Sequence, residues 1–353
     1  MATGERLAAR GAAANSQLSR RAFVTRMAGL GAVALLTPCG GQVVTASPAT
    51  RLHRVGFLSG NTHASVEELS PPFVQQMHDL GYVDGRDLDI VFKIADNKND
   101  ELPAMAAELL ALPVDLLVAQ AGPAQLAAKA ATSTVPIVFV LGGDPVGLGI
   151  VASLAKPGAN VTGVTTLSTE LSAKKIEILK SVLPTMSRAA VIYNANNGTI
   201  NQAQAAREAG RTLGVLVEMF GVRNDRELDE VLGMVAQQRF DGLVMTPALS
   251  VLRNYCQVPD FADKIRLPQI YSDIEIVRAG GLMHLGANYA AMHRAAAVMA
   301  DRILRGAKPA DLPVERPTSF EFIVNLTAAE RIGLTIPVNI LRQAVAIREV
   351  GHC

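Results

Sequence analysis

The sequence predicts an α/β protein of two Rossmann-like lobes, each built on a parallel sheet, and three observations carry that prediction. Short apolar segments alternate with amphipathic ones, the strand–helix–strand order of parallel sheets. The alternation occurs twice. Landmarks at Gly56 and Val191, Gly81 and Gly214, Asp115 and Asp241, and Pro136 and Pro268 stand 126 to 135 residues apart. The 353 residues also exceed the ~250–300 at which a single core stops growing. One long doubly wound sheet is the alternative, but the landmarks restart as a set near residue 188, after a helix that ends at Pro184.

Residues 1–46 read as an export signal rather than part of the fold. Arg6, Arg10, Arg20, Arg21 and Arg26 face one acid, Glu5, and precede an uncharged apolar stretch from Met27 to Leu36. That stretch is too short for a bilayer core, which needs ~20 residues, and has the layout of a signal peptide. Ser19-Arg20-Arg21-Ala22-Phe23-Val24 resembles a twin-arginine signal. Two endings are open: Leu36-Thr37-Pro38-Cys39 resembles a lipoprotein box with Cys39 acylated, and Val44-Thr45-Ala46 offers a small-residue cleavage site before Ser47. Removing the five arginines and one glutamate leaves 28 basic and 31 acidic groups.

The first lobe opens with strand Val55–Leu58, and Ser70-Pro71-Pro72 starts a helix that stops at Leu80-Gly81. Asp89–Phe92 is the next strand. Asp84, Asp87 and Asp89 read as solvated edge residues, because Leu88, Ile90 and Phe92 alternate as a strand. A helix from Asp100 carries Leu102, Met105, Ala106, Leu109 and Leu110 on one face. Strand Val114–Val118, helix Pro123–Ala131 and strand Val135–Val140 follow. In the second lobe the strands are Ala189–Tyr193, Val215–Val217, Phe240–Val244 and Leu267–Tyr271, with helices ending at Leu213 and opening at Asp225.

Ligands of open parallel sheets lie outside the carboxyl ends of the strands. The residues there are Ser59, Gly60 and Asn61; Gln120, Ala121 and Gly122; and Asp144 with Pro145 in the first lobe. The second lobe presents Asn194, Asn196 and Asn197, then Thr246, then Asp273. These loops offer acids, amides and helix N-termini but no Arg or Lys. Amides at Gly122 and near Gly198 suit a carboxylate, and Asp144 or Asp273 suits an ammonium. Asp144 reads equally well as the cap of a helix begun by Pro145.

Composition excludes several classes. With 49 % hydrophobic and 18 % charged residues, global disorder is ruled out. A formal net charge of +1 gives no footprint for nucleic acid. Cys39, Cys256 and Cys353 are too few and too scattered for a disulfide scaffold or a compact zinc site. Cys256 reads as a packed thiol in a helix, and the pairing of Cys256 with Cys353 is open. No dinucleotide fingerprint, nucleophile elbow or phosphate loop occurs, and the six histidines show no ligand spacing. No catalytic residue, metal or cofactor is expected.

Gly56-Phe57-Leu58-Ser59, Gly81-Tyr82, Asp144–Gly149, Lys156-Pro157-Gly158-Ala159-Asn160-Val161-Thr162-Gly163 and Arg305–Pro309 together resemble the substrate-binding proteins of ABC transporters. The group is the type I periplasmic-binding branch with tryptophan- and tyrosine-binding members, and the likeness covers about residues 52–340. It implies two lobes joined by three crossings, near Val164–Glu170, Leu285–Tyr289 and Leu312–Thr318, before a last strand Phe320–Val324. Lobe I would then comprise 51–165 and 286–316, and lobe II 166–285 and 317–353. Helix Tyr289–Arg305 would return to lobe I. Family members often carry an aromatic after the Gly280-Gly281 turn, where this chain has His284-Leu285-Gly286. The resemblance further implies a monomeric, extracytoplasmic receptor that delivers a small solute, such as an amino acid, to a membrane permease. An exported α/β enzyme acting in the same cleft is the second reading; export, duplicated lobes and the lack of a nucleophile–base pair favour the receptor.

Overall fold

The computed structural model describes residues 51–195, 199–246 and 257–348. The export segment, Cys39, Asn196, Asn197, Gly198, Cys256 and Cys353 lie outside the described residues.

The first sheet takes its strands from β1 (His53–Ser59), β2 (Leu88–Ile94), β3 (Leu116–Gln120), β4 (Ile137–Gly142) and β5 (Val161–Thr165). Their spatial order is β2-β1-β3-β4-β5, all parallel. Between them run α1 (His63–Leu69), α2 (Pro71–Asp79), α3 (Leu102–Ala111) and α4 (Gly122–Ala131). Both faces of the sheet are covered, so its strands are near-continuous apolar runs. Val55, Phe57, Leu116, Val118, Val138 and Val140 pack with Phe73 and Met77 of α2. The alternate residues Leu58, Leu117, Ala119, Ile137 and Phe139 pack with Leu102, Ala106 and Leu109 of α3 and Ala124 and Ala128 of α4.

The chain then enters α5 (Ser168–Val182) and repeats the plan with β6 (Arg188–Asn194), α6 (Ile200–Thr212), β7 (Leu216–Val222), α7 (Asp225–Gln238) and β8 (Gly242–Met245). It continues through α8 (Gln257–Lys264), β9 (Gln269–Tyr271), α9 (Ile274–Arg278) and β10 (Met283–Ala287). The order β7-β6-β8-β9-β10 reproduces that of the first sheet, so the repeat seen in the sequence is a repeat of topology. Next come α10 (Tyr289–Leu304), β11 (Phe320–Asn325), α11 (Leu326–Arg331), α12 (Val338–Leu341) and β12 (Val345–Ile347). β11 is antiparallel to β10 and carries β12 on its far side.

Helix α10 packs its Met292, Ala296, Met299 and Ala300 into the first lobe, although the strand before it belongs to the second. A buried bond fixes it there: the Tyr82 hydroxyl donates to Asp301 Oδ1 at 3.0 Å. Burial and that bond hold the Tyr82 pKa up at about 12. Three connections thus join the sheets. They are Thr166–Leu167 between β5 and α5, Asn288 between β10 and α10, and residues 316–319 before β11. The last follows a tie in which Glu315 pairs with Val164 and Thr165 N–H donates to Glu315 O at 3.0 Å.

Several local expectations change. Residues 161–165 and 283–287 are full strands, so the first two crossings begin later than their sequence suggests. Asp87 is not a solvated edge residue. It is 7 % exposed, accepts from Val83 N–H at 2.5 Å and pairs with Arg86; the Val83 bond first, then Arg86, hold its carboxyl below the usual range. Pro145 starts a turn rather than a helix, and Gly149 at φ 66° follows in that turn.

Candidate functional site

The strand order places a crevice in each lobe. In the first, β2 and β3 lie on opposite sides of β1, so the loops leaving β1 and β3 diverge at the carboxyl edge. Ser59 and Gln120 are register partners at that point. Ser59 Oγ accepts from Asn61 N–H at 3.1 Å, which folds Gly60 and Asn61 back over the strand end. Gln120 is fully buried, and neither its Nε2 nor its Oε1 has a hydrogen-bond partner among the described residues. Ala121, at φ 67°, then turns the chain into α4 at Gly122, and no side chain caps that helix start. Its first-turn amides point out of the carboxyl edge, the arrangement that favours an anion.

Ala121, Leu141 (φ 59°) and Leu167 (φ 51°) all occupy the left-handed region at this edge. Each such residue costs about 1–3 kcal/mol and persists only where its surroundings impose it. Leu167 stands where the chain leaves lobe I for α5.

Asp144 uses both carboxylate oxygens. Gly147 N–H donates to Oδ1 at 2.8 Å, and Asn201 Nδ2, on α6 of the second lobe, donates to Oδ2 at 3.1 Å. Gly143 lies so close to α6 that a Cβ there would stand 3.2 Å from Gln202 Nε2. The two lobes therefore touch across this loop.

The second lobe mirrors the first. Asn194 ends β6, and Thr246 follows β8, whose Met245 pairs with Ile192. Thr199 Oγ1 donates to Asn194 O at 2.9 Å, drawing the start of α6 onto the strand end. Ser272 Oγ donates to Met245 O at 3.1 Å, and Asp273 stands as the extended residue before α9.

A side chain that the loops did not reveal completes the cleft. A small cavity is lined by Thr166, Ser168, Lys175, Ser272, Gly286 and Tyr289, among others. Lys175 is 1 % exposed, and burial drives its pKa from 10.5 down to about 7, with the Asp273 charge opposing. The strand-end loops were expected to offer no Lys or Arg, and this cation comes instead from a helix. The sequence did carry a signal. Ser168, Ser172, Lys175, Leu179 and Val182 repeat at three- and four-residue spacing along the buried stripe of α5. His284 is also buried; desolvation, then the Lys175 and Arg278 charges, hold its pKa down at about 3. Neither of its ring nitrogens has a partner among the described residues. Burial and then Asp273 raise the Tyr289 hydroxyl pKa, so the phenol stays protonated.

A larger cavity, about 270 Å³, opens at the opposite end of the lobe II sheet among Leu183, Asp241, Arg266, Pro268 and Leu334. Its Asp241 is engaged by the Ser187 and Arg188 amides at 2.8 and 2.9 Å. It lies away from the carboxyl edges, and the cleft is the better candidate on the rule for parallel sheets. Among the described residues no group of three or more His, Cys, Asp or Glu is placed to hold a metal ion, and no helix is long and apolar enough to cross a membrane.

Two lobes of matching topology, joined by three connections and meeting at their carboxyl edges, define a binding protein of the type I periplasmic fold. Residues 56–348 match the family model of ABC transporter substrate binding proteins, and the chain belongs to that family. A tyrosine-binding protein of Clostridioides difficile (strain R20291) is 27 % identical over 317 residues, covering 87 % of this chain and 90 % of the relative. Among solved structures, a domain from Streptococcus pneumoniae in complex with L-Trp is similar at TM-score 0.77 and 24 % identity, covering 84 % of this chain and 99 % of that one. The ligand-free, open structure of a substrate-binding protein with adhesive properties from Clostridium difficile gives TM-score 0.67 and 26 % identity, covering 84 % and 100 %.

Proposed function

We propose that this receptor takes an amino acid into the interlobe cleft and presents it, outside the cytoplasmic membrane, to an ABC permease. The observation that carries the choice of ligand is the pairing of opposite polar groups across one cleft. Lobe I offers the Gln120 amide and the uncapped start of α4, and lobe II offers Asn194, Thr246 and Asp273 at the ends of neighbouring strands. Such a set suits a solute with both a carboxylate and an ammonium, and the tyrosine-binding relative supports the same class. Ser59, Gly60 and Asn61 shape the floor, and Asp144 with Pro145 forms the rim that meets lobe II. The protein acts by binding alone, as a monomer, after export through the twin-arginine-like segment; lipid attachment at Cys39 or cleavage after Ala46 sets whether it is anchored.

The test is a thermal-shift screen of the mature protein against the common amino acids. A ligand at 100 times its Kd stabilises by about 2.7 kcal/mol, a readily visible rise in Tm. A response to one or a few amino acids is expected. No response to any, alongside a response to sugars or polyols, contradicts the amino-acid reading.

A further inference from the structure

Lys175 is the charged side chain for which the fold supplies the least. It sits two turns into α5 with 1 % of its surface exposed, and no hydrogen bond or ion pair joins its ammonium to another described residue. A desolvated ammonium is costly unless a counter-charge with good hydrogen bonds repays it. Asp273 lies within electrostatic reach, yet burial outweighs its influence. Around the cavity that Lys175 lines stand the hydroxyl residues Thr166, Ser168, Ser272 and Tyr289. Next to it, His284 is buried with both ring nitrogens unpartnered and is held neutral. The small cavity is thus lined by one cation with no bonded counter-charge among the described residues and by the Tyr289 hydroxyl, with a neutral ring close behind.

We propose that Lys175 binds the carboxylate of the solute. The ammonium donates to the carboxylate at the cavity between α5, Ser272 and Tyr289, and the Tyr289 hydroxyl, whose proton burial retains, donates beside it. Asp273, of opposite charge on the same lobe, accepts the ammonium of the same molecule. A side-by-side cation and anion complement the α-carbon zwitterion, so the carboxylate sits at Lys175 and not at the start of α4, and Gln120 and that helix start face the rest of the solute. This assignment rests on the cleft being the solute site.

The experiment measures Kd by calorimetry for three kinds of probe on the wild-type protein, Lys175→Met and Lys175→Arg. The probes are L-tyrosine and L-tryptophan, the amines tyramine and tryptamine, and the deaminated acids 3-(4-hydroxyphenyl)propanoate and indole-3-propanoate. Wild type should bind the amino acids and not the amines. Lys175→Met should weaken amino-acid binding by at least about 30-fold, the range for removing one partner of a buried charge pair, and Lys175→Arg should retain part of it. Lys175→Gln replaces the Met variant if that one does not fold, as judged by circular dichroism. Unchanged amino-acid binding in a folded Met or Gln variant overturns the proposal, as does amine binding as tight as that of the amino acids. Binding of the deaminated acids alone, lost in Lys175→Met, upholds Lys175 while the amino-acid reading fails. Binding of none of the six overturns the proposal, and the amino-acid reading falls with it if the thermal-shift screen is silent as well.

Discussion

Asp144 of lobe I accepts a hydrogen bond from Asn201 Nδ2 of lobe II at 3.1 Å, while its other oxygen caps the turn at Gly147. One carboxylate thus shapes its own loop and clasps the opposite lobe. A second contact, Arg278 to Glu68 at 3.9 Å, also spans the lobes but joins two half-exposed side chains, and such pairs contribute little.

Asn201→Ala removes the clasp and leaves the turn. The closed form then loses about 1 kcal/mol, so solute affinity should fall roughly fivefold with little change in Tm. The radius of gyration of the ligand-free protein in small-angle scattering should rise. Asp144→Ala loses the turn as well and should lower both affinity and Tm. Affinity and scattering both unchanged in Asn201→Ala would show that the clasp does not govern closure.

Gln120 separates binding from stability in a different way. Its amide is buried without a protein partner, and an unsatisfied buried polar group costs about 1–3 kcal/mol. Gln120→Leu should leave the ligand-free protein as stable as wild type or more so, while weakening solute binding by about tenfold. Denaturant unfolding and calorimetry read the two effects. A variant that loses stability but keeps its affinity would make Gln120 a structural residue.

Lys175 gives the stability a pH signature. Its pKa lies near 7 in the folded chain, against 10.5 ordinarily, so between those values the unfolded chain binds more protons. Stability therefore rises with pH across about 7 to 10.5, by up to about 1.4 kcal/mol per pH unit from this group. Among the described residues, Asp273, His284, Arg278 and Tyr289 are the charged or titratable groups around this site, and burial keeps the Tyr289 phenol protonated across the window. His284, held near 3, stays neutral throughout that window. Urea unfolding at several pH values should show a steeper rise for wild type than for Lys175→Met. Parallel curves would mean that the ammonium is not desolvated.

The repeat, the alternation of strands and helices and most of their positions were legible because apolar periodicity reports burial directly. Strand β5 was harder, since Gly163 interrupts it and its neighbours Val164 and Thr165 read as the start of a crossing. β12 is three residues with two exposed, too short to show a pattern. The loop residues of the cleft followed from one topological rule applied to strand ends. Lys175 did not, because it comes from mid-helix, where a lysine ordinarily marks the solvent face; only its phase on the buried stripe of α5 gave it away. Asp144 was legible as a cap, but its second bond to Asn201 joins residues 57 apart, and such a contact has no local signature.

Native mass spectrometry of the mature protein, purified without unfolding and then mixed with equimolar amino acids, tests the central claim most directly. The account predicts a one-to-one complex whose added mass is that of an amino acid, abolished in Lys175→Met. A wild-type protein that carries no amino acid under these conditions, and retains instead a solute lacking a carboxylate, would contradict it.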